Sequence, residues 1–262
     1  MTDTLDEKFY RAKITKRVDF SHDLWSIRIH PTGEFKFAPG QYATLGIEGM
    51  DRHSHRPYSI VSSPHESEIE FFFELVPNGA FTPSLYKLQT GDELIMRKAP
   101  KGRFTLDTTR GRNNHLLVST VTGVAPFVSY VRTLYKDWKE GRFAGDQNLF
   151  LLNGVSRSWE FGYADELQEL AADAPWFKYV ATVSRPQEDT DWTGEWGRVD
   201  DLLRKYTDSW GLSGANAVGY LCGHPGMVEN CKGILQRIGF TTEVLKEEIY
   251  WVPTKDSEPK SV

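Results

Sequence analysis

Within the segment RPYSIVSSP, Arg56 to Pro64, an arginine, an aromatic phenol and a hydroxyl fall inside what reads as a short strand. Strand alternation sends Arg56, Tyr58 and Ile60 toward one face and Pro57 and Ser59 toward the other. Each type has work to do at the edge of a flat anionic ligand. Tyr58 can stack on a ring, Ser59 can hydrogen-bond a ring nitrogen, and Arg56 can fork onto a phosphate. The same residues also suit a barrel strand with Tyr58 in its core and Arg56 on its surface, so the segment alone leaves both readings open.

Further candidates recur along the chain. FAPGQY (Phe37 to Tyr42) reads as a turn leading into a strand, and PNGAFTPSL places Thr82 beyond a glycine turn, where its hydroxyl and nearby N–H groups suit phosphate oxygens. STVTGVAPF (Ser119 to Phe127) joins a strand to a helix. Thr122, Gly123 and a first helical turn containing Pro126 leave N–H groups facing the strand end, which suits an anion, although the turn is no G-x-G-x-x-G fingerprint. TVSRP and TGEWGR put Ser184, Arg185 and Arg198 at or after strand ends, a set fitted to a phosphate monoester such as the 2′-phosphate of NADP. In YLCGHPGMV, Cys222 and Gly223 end another strand, where small side chains let a ring approach; a buried structural cysteine is the alternative.

Two kinds of element must position these groups. Through residue 110 the chain shows short runs of β-formers separated by Gly, Pro, Asn and Asp, as in LWSIRIH, GQYATLGI and EIEFFFELV. That spacing suggests an antiparallel barrel, whose closure removes exposed edges. After DTTRGRNN the period changes. HLLVST reads as a buried strand, followed by a helix with Phe127, Val131, Leu134 and Trp138 on one face. The alternation continues through NLFLLNGV, YADELQEL, FKYVATVS, VDDLLRKY, AVGYLCG and GMVENCKGILQRI, where Met227, Cys231, Ile234 and Ile238 share a face. Such a βαβ series builds a mostly parallel sheet with its ligand site at the carboxyl ends of the strands. The expected division is 1–110 and 111–262, with EEIYW as a last strand and KDSEPKSV as a frayed tail.

Composition narrows the function. The 262 residues carry 26% charged, 39% hydrophobic and 13% aromatic side chains, as suits a globular protein, and the length favours two domains over one large β-rich domain. A net charge of −5 argues against sequence-independent nucleic-acid binding. The charged start has no apolar signal core, no stretch approaches a membrane span, and Cys222 and Cys231 are the only cysteines. A cytoplasmic protein is expected, with no metal site and no four-cysteine iron–sulfur cluster of its own.

Taken in order, FAPGQY, RPYSIVSSP, NGAFTPSL, TVTGVAPF, TVSRP, CGHPGMV and EEIYW resemble the ferredoxin-NADP reductase family, specifically its bacterial ferredoxin or flavodoxin reductases, from about residue 8 to residue 252. The resemblance implies an antiparallel Greek-key β-barrel that binds one non-covalent FAD, followed by an α/β parallel-sheet domain that binds NADP(H) as substrate. It implies that Arg56 holds the FAD pyrophosphate, that Tyr58 packs on one isoalloxazine face, and that Ser59 lies near flavin N5, with Pro57 in the same FAD-binding set. Phe73, Glu74, Leu75 and the turn Ala80, Phe81 and Thr82 would line the rest of the flavin site, with Thr122 approaching from the second domain. Tyr250 would cover the other flavin face and Trp251 the adenine. Thr122, Gly123, Arg157, Ser184, Arg185 and Arg198 match NADP-binding positions, and Cys222, Gly223, Pro225 and Met227 the loop beside nicotinamide. Catalytic roles would fall to Ser59, Cys222, Tyr250 and Glu248, the last in proton handling or ring placement.

Two departures stand out. Val121 occupies a position where much of the family has glycine, and eleven residues follow Trp251. The implied partner is a ferredoxin, a flavodoxin or both, docking on a basic patch from MRKAPKGR and Arg110 to Arg112, with the reductase expected as a monomer. A reductase component of an oxygenase, or a flavin-binding regulatory or assembly subunit without turnover, are the competing readings.

Overall fold

The computed structural model describes residues 7–108 and 111–250. Its first sheet has six antiparallel strands: β1 (Phe9–Asp19), β2 (Leu24–Pro31), β3 (Tyr42–Gly46), β4 (Arg56–Ser59), β5 (Ile69–Glu74) and β6 (Glu93–Arg97). Their spatial order is β4-β3-β6-β1-β2-β5, and a bridge between Ile60 and Phe71 brings the two edges together into a nearly closed barrel. Hairpins join β1 to β2 and β3 to β4, while the β2–β3 and β5–β6 connections cross other strands, the Greek-key arrangement expected from the sequence.

Alternation along two strands lets the barrel serve two cores at once. In β5, Ile69, Phe71 and Phe73 point into the barrel interior, with Trp25, Ile27 and Leu94, whereas Phe72 joins a second apolar cluster shared with the rest of the chain. Past β4 the same rule holds, with Ile60 inside and Val61 in the shared cluster.

The second sheet is parallel throughout. It comprises β7 (Asn114–Thr120), β8 (Asn148–Val155), β9 (Phe177–Val183), β10 (Glu195–Trp196), β11 (Ala217–Gly223) and β12 (Leu245–Ile249), in the order β10-β9-β8-β7-β11-β12. The order reverses between β7 and β11, so the crevice of this sheet opens there. Leu116, Val118, Phe150 and Leu221 cover one face with the helices Val199–Ser209 and Pro225–Arg237. Leu117, Leu149, Leu151, Tyr220 and Cys222 cover the other, against the helix Ala125–Lys139.

That helix is the joint between the sheets. Pro126 sits in its first turn, Lys136 and Lys139 in its last, and Gly141, at φ 73°, ends it in the left-handed region. Phe127, Tyr130 and Val131 pack in the shared cluster with Val61, Phe72 and Phe104 from the barrel side. Polar bonds then fix the register. Ser129 Oγ donates to the Ser62 carbonyl at 2.7 Å, Thr133 Oγ1 to Ser63 Oγ at 3.0 Å, and Tyr130 hydroxyl to the Phe104 carbonyl.

At the centre of the joint lies Glu70, 4% exposed. Its carboxylate accepts from Arg28 at 2.7 Å, from Arg132 at 2.7 Å and from the Tyr163 hydroxyl at 2.9 Å. Arg132 also forks onto Glu166, at 2.6 and 2.8 Å. Replacing Glu70 by alanine should cost about 3 kcal/mol, the lower end for breaking a buried pair, because Arg132 keeps Glu166. Urea unfolding checks this; a loss below about 1 kcal/mol would place the network with exposed ion pairs instead.

Candidate functional site

Ser59, at the end of β4, faces away from the barrel interior and is buried. Its Oγ accepts from the Tyr250 hydroxyl at 3.1 Å, a contact across 191 residues of chain. Tyr250 follows β12 directly, and its backbone N–H donates to the Gly223 carbonyl at 3.0 Å. One strand over, Cys222 pairs in register with Glu248. The four residues assigned catalytic roles from the sequence therefore form one cluster, at the carboxyl ends of β11 and β12 and against the barrel.

The electrostatics of the cluster are those of a nearly neutral chamber. Burial first, and then the Glu248 charge, push the Cys222 thiol well above its usual range. Burial, with Cys222 and Glu248 nearby, does the same to the Tyr250 phenol. Glu248 is pushed by burial from its ordinary value of 4.5 up to about 7, against a hydrogen bond with Ser59 that lowers it. Its Oε2 is buried with no partner among the described residues. Near neutral pH this is the group of the four able to gain or lose a proton.

The barrel side supplies a rim and a floor. Tyr58 is half-buried; its ring meets Phe73 edge-on at 4.7 Å and Phe81 at 5.9 Å. Phe73 and Phe81 are themselves buried in the barrel core, so they support Tyr58 from beneath. Pro57 and Arg56 are exposed. Arg56 Nη1 donates to the carbonyls of His53 and His55 at 2.6 and 3.0 Å, which orients the guanidinium, and no carboxylate pairs with it among the described residues. Glu74 ends β5 exposed, with half-buried Leu75 after it and exposed Ala80 in the following turn. Thr82 differs from the sequence expectation. Its hydroxyl is buried, accepting from the Val76 N–H at 3.0 Å and donating to the Val76 carbonyl at 3.2 Å, so it shapes the turn.

At the switch point the backbone itself forms the wall. Val121 is the sole non-glycine residue with positive φ among the described residues, at 43°, in the turn Val121–Val124. A Cβ on Gly123 would lie 2.3 Å from the Cys222 carbonyl oxygen, so only glycine fits there, and Thr122 stands half-buried beside it. Gly223, at φ 131°, is held the same way: a Cβ would lie 2.3 Å from Thr120 Oγ1, which also accepts the His224 N–H at 2.9 Å. Pro225 opens the next helix, capped by the His224 side chain. Met227 is 1% exposed in the core on the far face, in contact with Cys231 at 3.6 Å, so it anchors the helix and lies outside the cluster.

The arginines gather separately, at the ends of β8, β9 and β10. Backbone bonds from Ser184 to Val155 and from Arg185 to Ser156 tie two loops together. Arg157 donates to Glu160 and Glu188, Arg185 approaches Glu188, and Arg198 Nε donates to Asp200 at 3.1 Å. These carboxylate partners were absent from the sequence reading; the signal for them was the acidic residue three positions after Arg157 and Arg185 and two after Arg198. Trp251, expected over the adenine, and Arg110, expected in the basic patch, lie outside the described residues.

These features fit a bound FAD. A guanidinium without a carboxylate stands at the rim, an aromatic ring lies on a packed floor, a hydroxyl pair closes the chamber, and an orphaned carboxylate oxygen awaits a donor.

Comparison with known proteins agrees. The family described as an oxidoreductase FAD-binding domain matches residues 11–106, and that described as an oxidoreductase NAD-binding domain matches residues 117–233. A ferredoxin–NADP reductase of Azotobacter vinelandii is 30% identical over 232 residues, covering 82% of this chain and 84% of the relative. The xylene/toluene monooxygenase electron transfer component of Pseudomonas putida is 28% identical over 239 residues, covering 89% of this chain and 63% of the relative. The crystal structure of a ferredoxin NADP+ reductase from Neisseria gonorrhoeae with bound FAD and NADP shares the fold, with a TM-score of 0.77 at 23% identity over 92% of this chain and 98% of that one.

Two outcomes follow from this geometry. Val121→Gly should leave stability within about 1 kcal/mol of wild type in thermal or urea unfolding, because relief of a left-handed β-branched residue is opposed by the added chain entropy of glycine and by the packing that the half-buried side chain loses. For Glu248 the folded-state value lies above the unfolded one, so its contribution is present below pH 4.5 and is lost as pH rises through about 7. Between pH 5 and pH 8 wild type should therefore lose about 2–3 kcal/mol relative to Glu248→Gln. A pH-independent gap would mean that the carboxylate is well solvated.

Proposed function

The chain belongs to the ferredoxin-NADP reductase family, and on that premise we propose that it is an FAD-dependent reductase exchanging electrons between NADPH and a small ferredoxin or flavodoxin. The observation that carries the reading is the cluster of Ser59, Cys222, Glu248 and Tyr250 where the two sheets meet. FAD, when bound, would supply the redox chemistry, which couples two-electron exchange with a nicotinamide to one-electron exchange with a carrier.

The chain's own residues bind, orient and exclude water. We assign residues 1–110 to FAD and 111–262 to the nicotinamide dinucleotide. Arg56 and the N–H groups of residues 80–82 hold the FAD pyrophosphate, and Tyr58 presents its ring to one isoalloxazine face. Tyr250 occupies the nicotinamide side and must give way to admit a second ring, with its hydroxyl leaving Ser59 as it moves. Cys222, neutral and small, shapes the space that opens. Glu248 holds a proton at its buried carboxyl beside Ser59.

Ser184, Arg185 and Arg198, with Arg157, favour a 2′-phosphorylated nucleotide. Lys101 and Arg103, exposed and without ion-pair partners among the described residues, are the cations best placed to steer an acidic carrier. The two cysteines are free and buried, which supports a cytoplasmic setting. A second reading, the reductase component of an oxygenase, draws support from the likeness to the monooxygenase electron transfer component, and turnover with separate carriers separates the two.

Anaerobic stopped-flow mixing should bleach the flavin band rapidly with NADPH and much more slowly with NADH. Arg185→Ala/Arg198→Ala should raise the NADPH KM by about tenfold or more while changing that for NADH by about twofold or less. Equal losses would remove the 2′-phosphate assignment, and a flavin that neither nucleotide reduces would return the chain to the regulatory reading.

A further inference from the structure

The arginine cluster at the ends of β8 and β9 already holds an anion of its own. Arg157 Nε donates to Glu188 Oε2 at 2.7 Å, and its Nη2 donates to the same oxygen. The other oxygen of Glu188 lies 3.7 Å from Arg185 Nη1. One carboxylate thus bridges the two guanidinium groups that a 2′-phosphate would need. We propose that Glu188 is a tethered competitor of the nucleotide 2′-phosphate, a specificity-determining residue that NADPH must displace from Arg157 and Arg185 and that recaptures them on release. This rests on the reading of that cluster as the 2′-phosphate site.

The local frame explains why Glu188 sits there and how it can leave. Asp189, next in sequence and 6% exposed, accepts the Ser158 N–H at 2.6 Å and clamps the two loops together. Glu188 itself ends a single 3₁₀ turn, Pro186–Glu188, with its N–H on the Arg185 carbonyl at 3.0 Å. The backbone is therefore pinned beside the arginines, while the side chain, 42% exposed, is free to swing into water. Arg157 keeps a second anchor when Glu188 departs, because its Nη1 donates to Glu160 at 3.1 Å, and Glu160 in turn accepts the Ser156 N–H at 2.9 Å. The guanidinium stays aimed at the site while one of its carboxylate partners is exchanged for phosphate.

A competitor attached to the same loop acts at a fixed effective concentration, so it weakens every anion that needs these arginines by a constant factor. It leaves nucleotides without a 2′-phosphate nearly untouched. Exposed ion pairs are individually weak, so with two of them and the repulsion of a dianion removed, the gain on neutralising Glu188 is about three- to tenfold.

The test uses the FAD-loaded protein and two probes, 2′-phospho-AMP and 5′-AMP, titrated calorimetrically. Glu188→Gln should tighten 2′-phospho-AMP by about three- to tenfold and leave 5′-AMP within about twofold, whereas Glu188→Asp, which keeps the charge, should restore much of the wild-type ratio. A purely structural role would move both probes together, and that result, or unchanged or weaker 2′-phospho-AMP binding by Glu188→Gln, overturns the proposal. Arg157→Ala/Arg185→Ala is measured alongside. Selective loss of 2′-phospho-AMP in that variant confirms the site that Glu188 contests; no loss overturns the site assignment and the proposal with it.

Discussion

Everything at the centre of this molecule depends on how the helix Ala125–Lys139 is seated between the two sheets. An apolar interface alone fixes such a helix weakly, because dispersion and area burial vary little as surfaces slide. The bonds of Glu70 are directional. A carboxylate that is 4% exposed must have its lone pairs met, and here Arg28 of β2, Arg132 of the helix and Tyr163, the N-cap residue of the helix Ala164–Asp173, meet them. Burial alone would lower the Arg132 pKa, but Glu166 and Glu70 more than offset it, so the guanidinium stays charged where it is needed. The Tyr250 hydroxyl, donating to Ser59 Oγ at 3.1 Å, makes a second polar link between the two sheets.

The site has two electrostatic zones, and their separation follows from the folding of each sheet. Where the barrel meets β11 and β12, thiol and phenols are held neutral by burial, and the one carboxylate titrates near neutrality. A flat, weakly polar ring system is accommodated there without placing a charge in a low-dielectric space. The arginines stand in water at the strand ends of β8 to β10, each already paired with a carboxylate. On the proposed reading, phosphate recognition at this rim would exchange one anion for another, and so would set selectivity more than overall affinity.

Much of this was legible in the sequence because it rests on period. The change from β-runs to strand–helix alternation near residue 110 separates the two sheets, and the helical faces through Phe127 and Met227 fall where expected. Alternation in RPYSI gave both open readings their due: Tyr58 and Ile60 do join the barrel cluster, and Ser59 does face the chamber. What stayed hidden depends on partners distant in the chain. Nothing in EIEFFFELV marks Glu70 as the residue that binds a helix sixty-two positions later. The side chains of Thr82 and Met227 are claimed locally, Thr82 by the Val76 backbone and Met227 by Cys231 one turn along its own helix and the apolar cluster around it. Propensity places a residue on an element; only packing decides which way its functional atoms turn.

The switch point shows why the backbone matters more here than side chains. Three segments converge: the Val121–Val124 turn, the end of β11 and the residue after β12. Gly123 lies against the Cys222 carbonyl, Gly223 against Thr120, and the Gly223 carbonyl accepts the Tyr250 N–H. A Cβ at Gly123 would run into the Cys222 main chain, and at Gly223 it would meet the Thr120 hydroxyl in a backbone conformation that favours glycine. Val121 completes the turn in a left-handed conformation that its branched side chain resists, with that side chain packed against the shared apolar cluster. The turn is thus defined by its neighbours and not by its own sequence, which is how a valine serves at a position whose geometry asks for glycine. By the same logic the backbone of Tyr250 is tied to Gly223, while its side chain is held by the bond to Ser59.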